Sequence, residues 1–314
     1  MIILGAGLAG CLAGALERDA EIYEVQTGAH AQHKAVLRFR DDKVSRALGI
    51  PFKRVRVNKA VWLEDRSYNW CSPRAANLYS QKVIGRLMAR SIGDLAPVDR
   101  FIAPDNLHEL LAARCEGRIH WGTTITGITR EILYTANTFG NVKGVVREGA
   151  PIVSTLPLEA LHKICSIEVV DQFTSAPIHV ERYRVPDSDM YATTYFPAQG
   201  LGLYRATLSG ELLMLEGMTP IGPKDRDEAV NALGLNYYGI EKIETVSQRY
   251  GKIMPLPDDR RKKLLLDFTL KFGVFSLGRF ATWRNILLDD VMEDLFKIRA
   301  MVHMGTYDIF RVNA

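Results

Sequence analysis

The chain opens on three apolar residues in a row, Ile2-Ile3-Leu4, the pattern of a short strand buried on both faces. An alanine- and leucine-rich stretch over 8–18 reads as a helix, and Glu21-Ile22-Tyr23-Glu24 returns as a second strand. Further on, 106–114 reads as a helix, followed by strands at 119–121 and 123–128. A strand pair within 142–157 ends on Ile152-Val153-Ser154-Thr155-Leu156-Pro157. Elsewhere the rhythm changes. Residues 35–40 and 52–62 read as strands around a helix near 42–48. Four strands follow at 178–185, 190–196, 201–208 and 211–216, with Ser209-Gly210 as a hairpin turn, then a helix at 225–233. The run 258–263 (DDRRKK) reads as a solvated charge cluster, and a last strand leads into a helix over 290–301. No repeat or low-complexity tract is present.

The first turn carries the most specific chemistry. Gly5-Ala6-Gly7-Leu8-Ala9-Gly10 is a G-x-G-x-x-G placed between a strand and a helix. Gly5 permits the tight turn, Gly7 lets the backbone approach a pyrophosphate, and Gly10 lets the helix lie close to the sheet. Amides at the helix start, at the positive end of its dipole, hold phosphate charge. Glu24 closes the second strand where a carboxylate accepts both ribose hydroxyls. Its charge also argues against a 2′-phosphate. The motif set predicts dinucleotide binding; the plainer alternative is a glycine-rich turn with no ligand.

Composition narrows the classes. With 314 residues and 47% hydrophobic content the chain can bury a sizeable core, as one large or two modest domains. A charged fraction of 24% and a mean hydropathy of −0.04 exclude a chain dominated by disorder. The net charge of +4 and pI near 8.8 permit an anionic ligand without demanding nucleic acid. Cys11, Cys71, Cys115 and Cys165 are widely spaced, so neither a zinc site nor a dithiol motif follows, and a reducing compartment is expected. No apolar run reaches the ~18–20 residues of a membrane span. The N-terminus lacks a signal-peptide pattern, and the expectation is a cytoplasmic protein.

The far end of the chain points to a particular cofactor. Residues 274–300 read VFSLGRFATWRNILLDDVMEDLFKIRA. This resembles the closing FAD-binding segment of the flavin amine oxidase and UDP-galactopyranose mutase group: a strand, Gly-Arg, an aromatic, and an Asp opening the last helix. Gly278-Arg279, Trp283 and Asp289 stand at the matching positions. The resemblance implies FAD as cofactor and a compact, divergent member of the FAD-dependent oxidoreductase superfamily. Asp289 is then the expected N-cap of a helix whose amides face the flavin or its ribityl chain. Arg279 is expected at the flavin or pyrophosphate. Ile125 matches the position whose backbone meets adenine, and Thr155 lies in a crossing found in many two-domain flavoproteins.

The expected fold is therefore α/β: a Rossmann-type FAD/NAD(P)-binding domain with a mainly antiparallel-sheet second domain inserted. The first would comprise 1–30, 101–158 and 265–314, and the substrate domain 31–100 and 159–264.

Flavin carries redox chemistry, so the protein need supply only binding, orientation and an acid or base. His33 and Lys34 are the candidate acid/base and polarising groups, with a solvated loop as the alternative. Arg38 and Arg40, two apart on a strand, would share a face lining an anionic substrate pocket. Arg54 and Arg56 alternate similarly and read better as an exposed sheet face. In LGLYRATLSGELLMLEG, which looks similar to the mutase group's strand carrying an Arg near substrate, Arg205 is the leading substrate-binding and catalytic candidate. Tyr204, Tyr195 and Lys252 come after it. No metal-ligand grouping is expected.

These residues support an FAD-dependent oxidoreductase, amine oxidase-like, acting on a polar, small-molecule or nucleotide-type anionic substrate. A non-redox flavin isomerase resembling UDP-galactopyranose mutase is the alternative, although HAQHKAVLRFR replaces that group's Gly-Pro-His-x-Phe-His stretch. Gln26-Thr27-Gly28 likewise replaces the amine oxidases' Gly-Gly-Arg. Further readings are a nucleic-acid base-modifying flavoprotein, virus-encoded in type and motivated by the basic stretches 38–40 and 53–59, and a non-enzymatic FAD-binding partner protein.

Overall fold

The computed structural model describes residues 1–29, 36–87, 91–168, 173–236, 238–254 and 256–303. In chain order the elements begin with β1 (Ile2–Leu4), α1 (Leu8–Leu16), β2 (Glu21–Tyr23), β3 (Arg38–Phe39), α2 (Lys43–Leu48), β4 (Lys53–Leu63) and β5 (Arg66–Tyr68). They continue with α3 (Pro73–Ile84), β6 (Val98–Ile102), α4 (Leu107–Arg114), β7 (Ile119–His120), β8 (Thr124–Ile128), β9 (Ile132–Ala136) and β10 (Val142–Val146). Next are β11 (Ile152–Ser154), α5 (Leu158–Ile164), β12 (Ser175–Arg184), β13 (Tyr191–Tyr195), β14 (Leu203–Ser209) and β15 (Leu212–Gly217). The last are α6 (Pro223–Leu233), β16 (Glu241–Ile253), α7 (Asp258–Phe272), β17 (Val274–Ser276) and α8 (Leu288–His303).

The apolar runs that open and close the chain meet in one parallel sheet, ordered β17-β11-β1-β2-β7. Side chains alternate across it. Ile3, Val153 and Phe275 join a core with α1, α4 and α8, while Ile2, Leu4, Ile152 and Val274 join another with α5, α7 and β8–β9. The antiparallel sheet β10-β9-β8 and helices α5 and α7 thus cover one face, and α1, α4 and α8 the other.

The second body is a nine-stranded sheet in the order β16-β12-β15-β14-β13-β4-β6-β3, with β5 beside β4. Its pairings are antiparallel except β13 with β4. α6 packs one face through Ala229 and Leu233. α3 packs the other through Ala75, Tyr79 and Val83 against Val61, Val180 and Met214. α3 itself starts on Ser72, whose hydroxyl accepts from the Ala75 amide, has Pro73 in its first turn and ends on Gly85 at φ +70°. The sheet curls strongly. Arg38, on the edge strand β3, bonds to Thr193 on β13 and Leu208 on β14, three and four strands away. At ~4.8 Å per strand that span exceeds any arginine unless the sheet folds back on itself.

The α/β class with a parallel nucleotide-type sheet and a mainly antiparallel second sheet stands. The expected boundaries shift. α2 lies in the segment assigned to the second domain, yet Val44 and Leu48 pack in the core of the first. α5 likewise belongs with the first body, and so does the run 258–263, an exposed charge cluster except for Arg261 that opens α7. Arg261 is buried there beside Asp258, and Phe268 turns inward, so a helical face hid inside a charged stretch. Expected strand 35–40 is described only from residue 36, and β3 spans two residues. Helix α3 and the long edge strand β16 escaped the reading of the sequence, because their apolar positions are interrupted by polar, half-exposed ones.

Candidate functional site

The glycine turn has the geometry that the spacing demanded. Gly5 adopts φ +93°, and a Cβ there would come within 2.6 Å of Thr155 Oγ1. A Cβ on Gly10 would overlap the Gly5 carbonyl, so helix α1 can pass the end of β1 only with glycine at that place. Gly7 differs: it is exposed, and a Cβ on it would meet nothing within 4 Å. It is the N-cap of α1 and makes no side-chain cap, which leaves the first-turn amides at Leu8 and Ala9 open toward that space. Open space in front of free amides is what a diphosphate needs.

Glu24 is fastened to the same turn. Its Oε2 accepts from the Ala6 amide at 2.6 Å and its Oε1 from the Gln26 amide at 2.9 Å. Each oxygen keeps a further lone pair for a ribose hydroxyl. Thr155 secures the turn from below, its Oγ1 donating to the Leu4 carbonyl at 2.8 Å. His108 and Cys11 both contact the Ala6 carbonyl from beneath, at 2.8 and 3.0 Å. Burial pushes the Cys11 thiol up to about 12, so it serves as a neutral packing group. Ile125 is buried among Leu4 and Tyr23, and its strand pairs with β9 through Thr135.

The C-terminal segment packs against the glycine turn. Gly278 takes φ +91°, and a Cβ there would fall 2.9 Å from the Ala9 Cβ on α1. The Arg279 guanidinium donates to the Gly251 carbonyl of β16 at 3.0 Å, linking the glycine turn to the second sheet. Trp283 is fully buried and donates to the Met254 carbonyl. Asp289 is not the helix cap. It lies inside the first turn of α8, and both its oxygens accept from the Arg40 amide, at 3.2 and 3.3 Å. Burial raises its pKa. Asp290 takes the capping part, accepting from the Leu287 amide at 2.8 Å.

A second grouping gathers on the curled sheet. Arg205 on β14 lies across the hairpin from Glu216 on β15. Its Nε and Nη2 both donate to that carboxylate, the latter at 2.6 Å. Tyr204 is the extra residue of a β-bulge between Leu203 and Arg205, and its hydroxyl also donates to Glu216, at 2.8 Å. Lys252 stands over the Tyr204 ring at 4.2 Å. Tyr195 pairs with Arg205 in the ladder and meets Tyr79 edge-on at 5.5 Å. Arg38 donates to Thr193 Oγ1 at 2.7 Å and to the Leu208 carbonyl at 3.0 Å, while its buried Nε has no partner among the described residues.

The charges of Arg205 and Lys252 act on the Glu216 carboxylate, and Arg38 lies within electrostatic reach of Arg205, Arg100 and Glu216. Burial lowers Arg38 to about 10, and the nearby Arg205 charge adds to the effect. Glu216 is held below its ordinary value although burial opposes this, because the Arg205 charge and hydrogen bonds outweigh desolvation. Tyr204 is raised well above its ordinary value, first by burial and then by Glu216.

The structure thus brings Arg38, Tyr195, Tyr204 and Arg205 together and separates Arg40 from them. β3 ends at Phe39, so Arg40 does not share a face with Arg38. It pairs with Asp290 at 2.7 and 2.8 Å. Arg54 and Arg56 are exposed and share Asp99. His33 and Lys34 lie outside the described residues. Among the described residues no His/Cys/Asp/Glu group could hold a metal, and no helix is long and apolar enough to cross a membrane. Glu216 was missed: the turn residues are Gly210-Glu211, whereas counting from the expected Ser209-Gly210 turn sets Arg205 opposite Met214.

No protein-family profile matches the sequence, and no curated protein matches it. Solved structures do. A reduced UDP-galactopyranose mutase aligns over 90% of this chain and 90% of its own, with 15% identity and a TM-score of 0.61. A CLA-producing fatty acid isomerase from P. acnes aligns over 95% and 97%, with 14% identity and a TM-score of 0.61. An oxidoreductase from Methanosarcina mazei aligns over 95% and 99%, with 9% identity and a TM-score of 0.56. At these identities the likeness is one of fold.

Proposed function

We propose that this chain is an FAD-dependent oxidoreductase whose substrate carries an anionic group. The carrying observation is the contrast within the glycine turn: Gly5 and Gly10 are enclosed by protein, whereas the space before Gly7 is open and faced by the amides at the start of α1. A carboxylate already fastened at Glu24 suits the adenosine ribose, and the unphosphorylated 2′-hydroxyl of FAD is compatible with its charge.

Bound flavin would supply electron transfer between substrate and acceptor. The chain's own part is binding and orientation. Leu8 and Ala9 amides hold the diphosphate, Glu24 the ribose, and Gly278 brings the C-terminal segment against α1. Arg279 ties this cradle to β16, whose Lys252 belongs to the cationic group on the second sheet. Arg38 and Arg205 there would fix the anionic part of the substrate, with the Arg38 Nε as an unused donor. Tyr195 and Tyr204 would bound the same pocket.

The test is to load the purified protein with FAD and mix it anaerobically with anionic amines, hydroxy acids or NAD(P)H. Bleaching of the flavin band by one class identifies an oxidoreductase. A second reading, a non-redox flavin isomerase, is favoured by one finding: the mutase and the fatty acid isomerase both align at a TM-score of 0.61 over nearly the whole chain. Turnover that requires dithionite-reduced protein and leaves the flavin redox state unchanged would select it.

A further inference from the structure

We propose that Glu216 is the positioning residue of the anion site: it fixes the Arg205 guanidinium by its Nε and Nη2 donors so that the Nη1 edge faces the substrate's anionic group. The inference rests on the reading of Arg38 and Arg205 as an anion site. It goes further by assigning a task to a buried acid that, by charge alone, ought to weaken anion binding.

Glu216 is 2% exposed and accepts from three donors: Arg205 Nε, Arg205 Nη2 and the Tyr204 hydroxyl. Such a carboxylate has lost its water and is compensated by these partners and by the nearby Lys252 charge. The arginine it holds is different. Arg205 remains 31% exposed, and its Nη1 has no partner among the described residues. Two of the three guanidinium nitrogens are therefore fixed by protein, and the third is the one left to engage a ligand. A guanidinium held along one edge cannot rotate, so the direction of its remaining donors is set before a ligand arrives.

Local chain geometry supports the assignment. A regular hairpin register places Arg205 opposite Glu216, and the bulge immediately beyond inserts Tyr204 as an additional residue. Adjacent residues on a flat strand point to opposite faces. The bulge brings neighbouring side chains onto one carboxylate. Lys252, stacked on the Tyr204 ring, closes the group from β16. A carboxylate needed only to neutralise charge would require neither the bulge nor the two-point grip on one arginine.

The two roles predict opposite signs, which makes them separable. If Glu216 merely offsets charge, removing it leaves the site more cationic, and anions bind more tightly. If it positions Arg205, removing or shortening it frees the guanidinium, and anions bind more weakly.

The experiment titrates inorganic phosphate into FAD-loaded protein by calorimetry, so that the diphosphate cradle is already filled. Wild type, Arg205→Ala, Glu216→Gln and Glu216→Asp are compared, with FAD content and circular dichroism checked for each. Saturable phosphate binding by wild type and its loss in Arg205→Ala are expected. Both Glu216 variants should then bind phosphate tenfold to about a hundredfold more weakly, the usual scale for a misplaced binding group. Glu216→Asp keeps the charge and changes only the reach, so it decides the matter if Glu216→Gln fails to fold. The Arg205 Nε–H resonance in a nitrogen-15 spectrum should also move toward that of an exposed arginine in both variants. Unchanged or tighter phosphate binding by Glu216→Asp, with Arg205→Ala inactive in binding, overturns the positioning role. Wild type that binds no phosphate, or Arg205→Ala that binds it like wild type, overturns instead the anion-site reading beneath it.

Discussion

The Ala6 amide donates to Glu24 Oε2 at 2.6 Å, so the carboxylate that closes β2 is tethered to the turn between β1 and α1. Sequence separation between the two is only 18 residues, and the contact needs nothing from the second sheet. Hydrogen bonds to a charged group contribute about 1.5–3 kcal/mol. Glu24→Gln is therefore expected to weaken FAD binding roughly tenfold to a hundredfold, read by fluorescence titration, with circular dichroism unchanged. Equal affinity would remove Glu24 from the cofactor site.

Glycine substitutions should divide into two kinds. Gly10→Ala pushes a methyl into the Gly5 carbonyl and should cost ~1–3 kcal/mol by urea denaturation. Gly7→Ala adds a methyl to open space, at φ −69° and ψ −178°, and should change stability by no more than about 0.5 kcal/mol. Comparable losses in both variants would contradict the described turn.

The glycine-turn half of the candidate site was legible in the sequence because its parts are local. Gly5, Gly7, Gly10 and Glu24 act through backbone geometry within one strand-helix-strand unit, and residue type there reports conformation directly. The other half depends on contacts between distant segments. Arg38 and Arg40 looked alike as alternating strand residues, yet β3 ends between them. One turns to Thr193 on β13 and the other to Asp290 on α8. Asp290 takes the capping role expected of Asp289 for a similar reason: the Arg40 amide, distant in sequence, engages the Asp289 carboxylate. The pairing of Glu216 with Arg205 was hidden because the turn falls at Gly210-Glu211 rather than at Ser209-Gly210, and the bulge that adds Tyr204 left no sign in the sequence.

Lys82 holds the loop between β13 and β14. Its ammonium donates to the carbonyls of Phe196, Ala198 and Leu203 at 2.9, 2.7 and 2.6 Å, and burial lowers its pKa to about 8. Lys82→Met leaves three carbonyls without that donor and should cost about 1–3 kcal/mol. FAD affinity should stay near wild type, since the loop lies in the second sheet. Denaturation and FAD titration on the same preparation check both outcomes.

Glu181 gives the acid limb of stability a definite shape. It is buried and accepts from Arg226 at 2.8 and 2.9 Å and from Lys242 at 2.6 Å, as well as from the Tyr183 hydroxyl. Burial alone would raise its pKa, but these donors outweigh it and bring the carboxyl from 4.5 to about 2. A depressed acid contributes stability that is complete above its unfolded value. That contribution is lost as pH falls from 4.5 toward about 2. Glu181→Gln should flatten this part of a denaturation-versus-pH curve and lower stability at neutral pH. A variant curve parallel to wild type would show that the cluster does not set the acid limb.

The most direct measurement is calorimetric titration of FAD into the flavin-free protein and into its Gly7→Val variant, with thermal unfolding recorded for each. Wild type should take up one FAD per chain, while the valine variant unfolds at nearly the same temperature but takes up little or none. A wild-type chain that binds no FAD, or a valine variant that binds it equally well, would contradict the assignment of the Gly7 amide face as the diphosphate cradle.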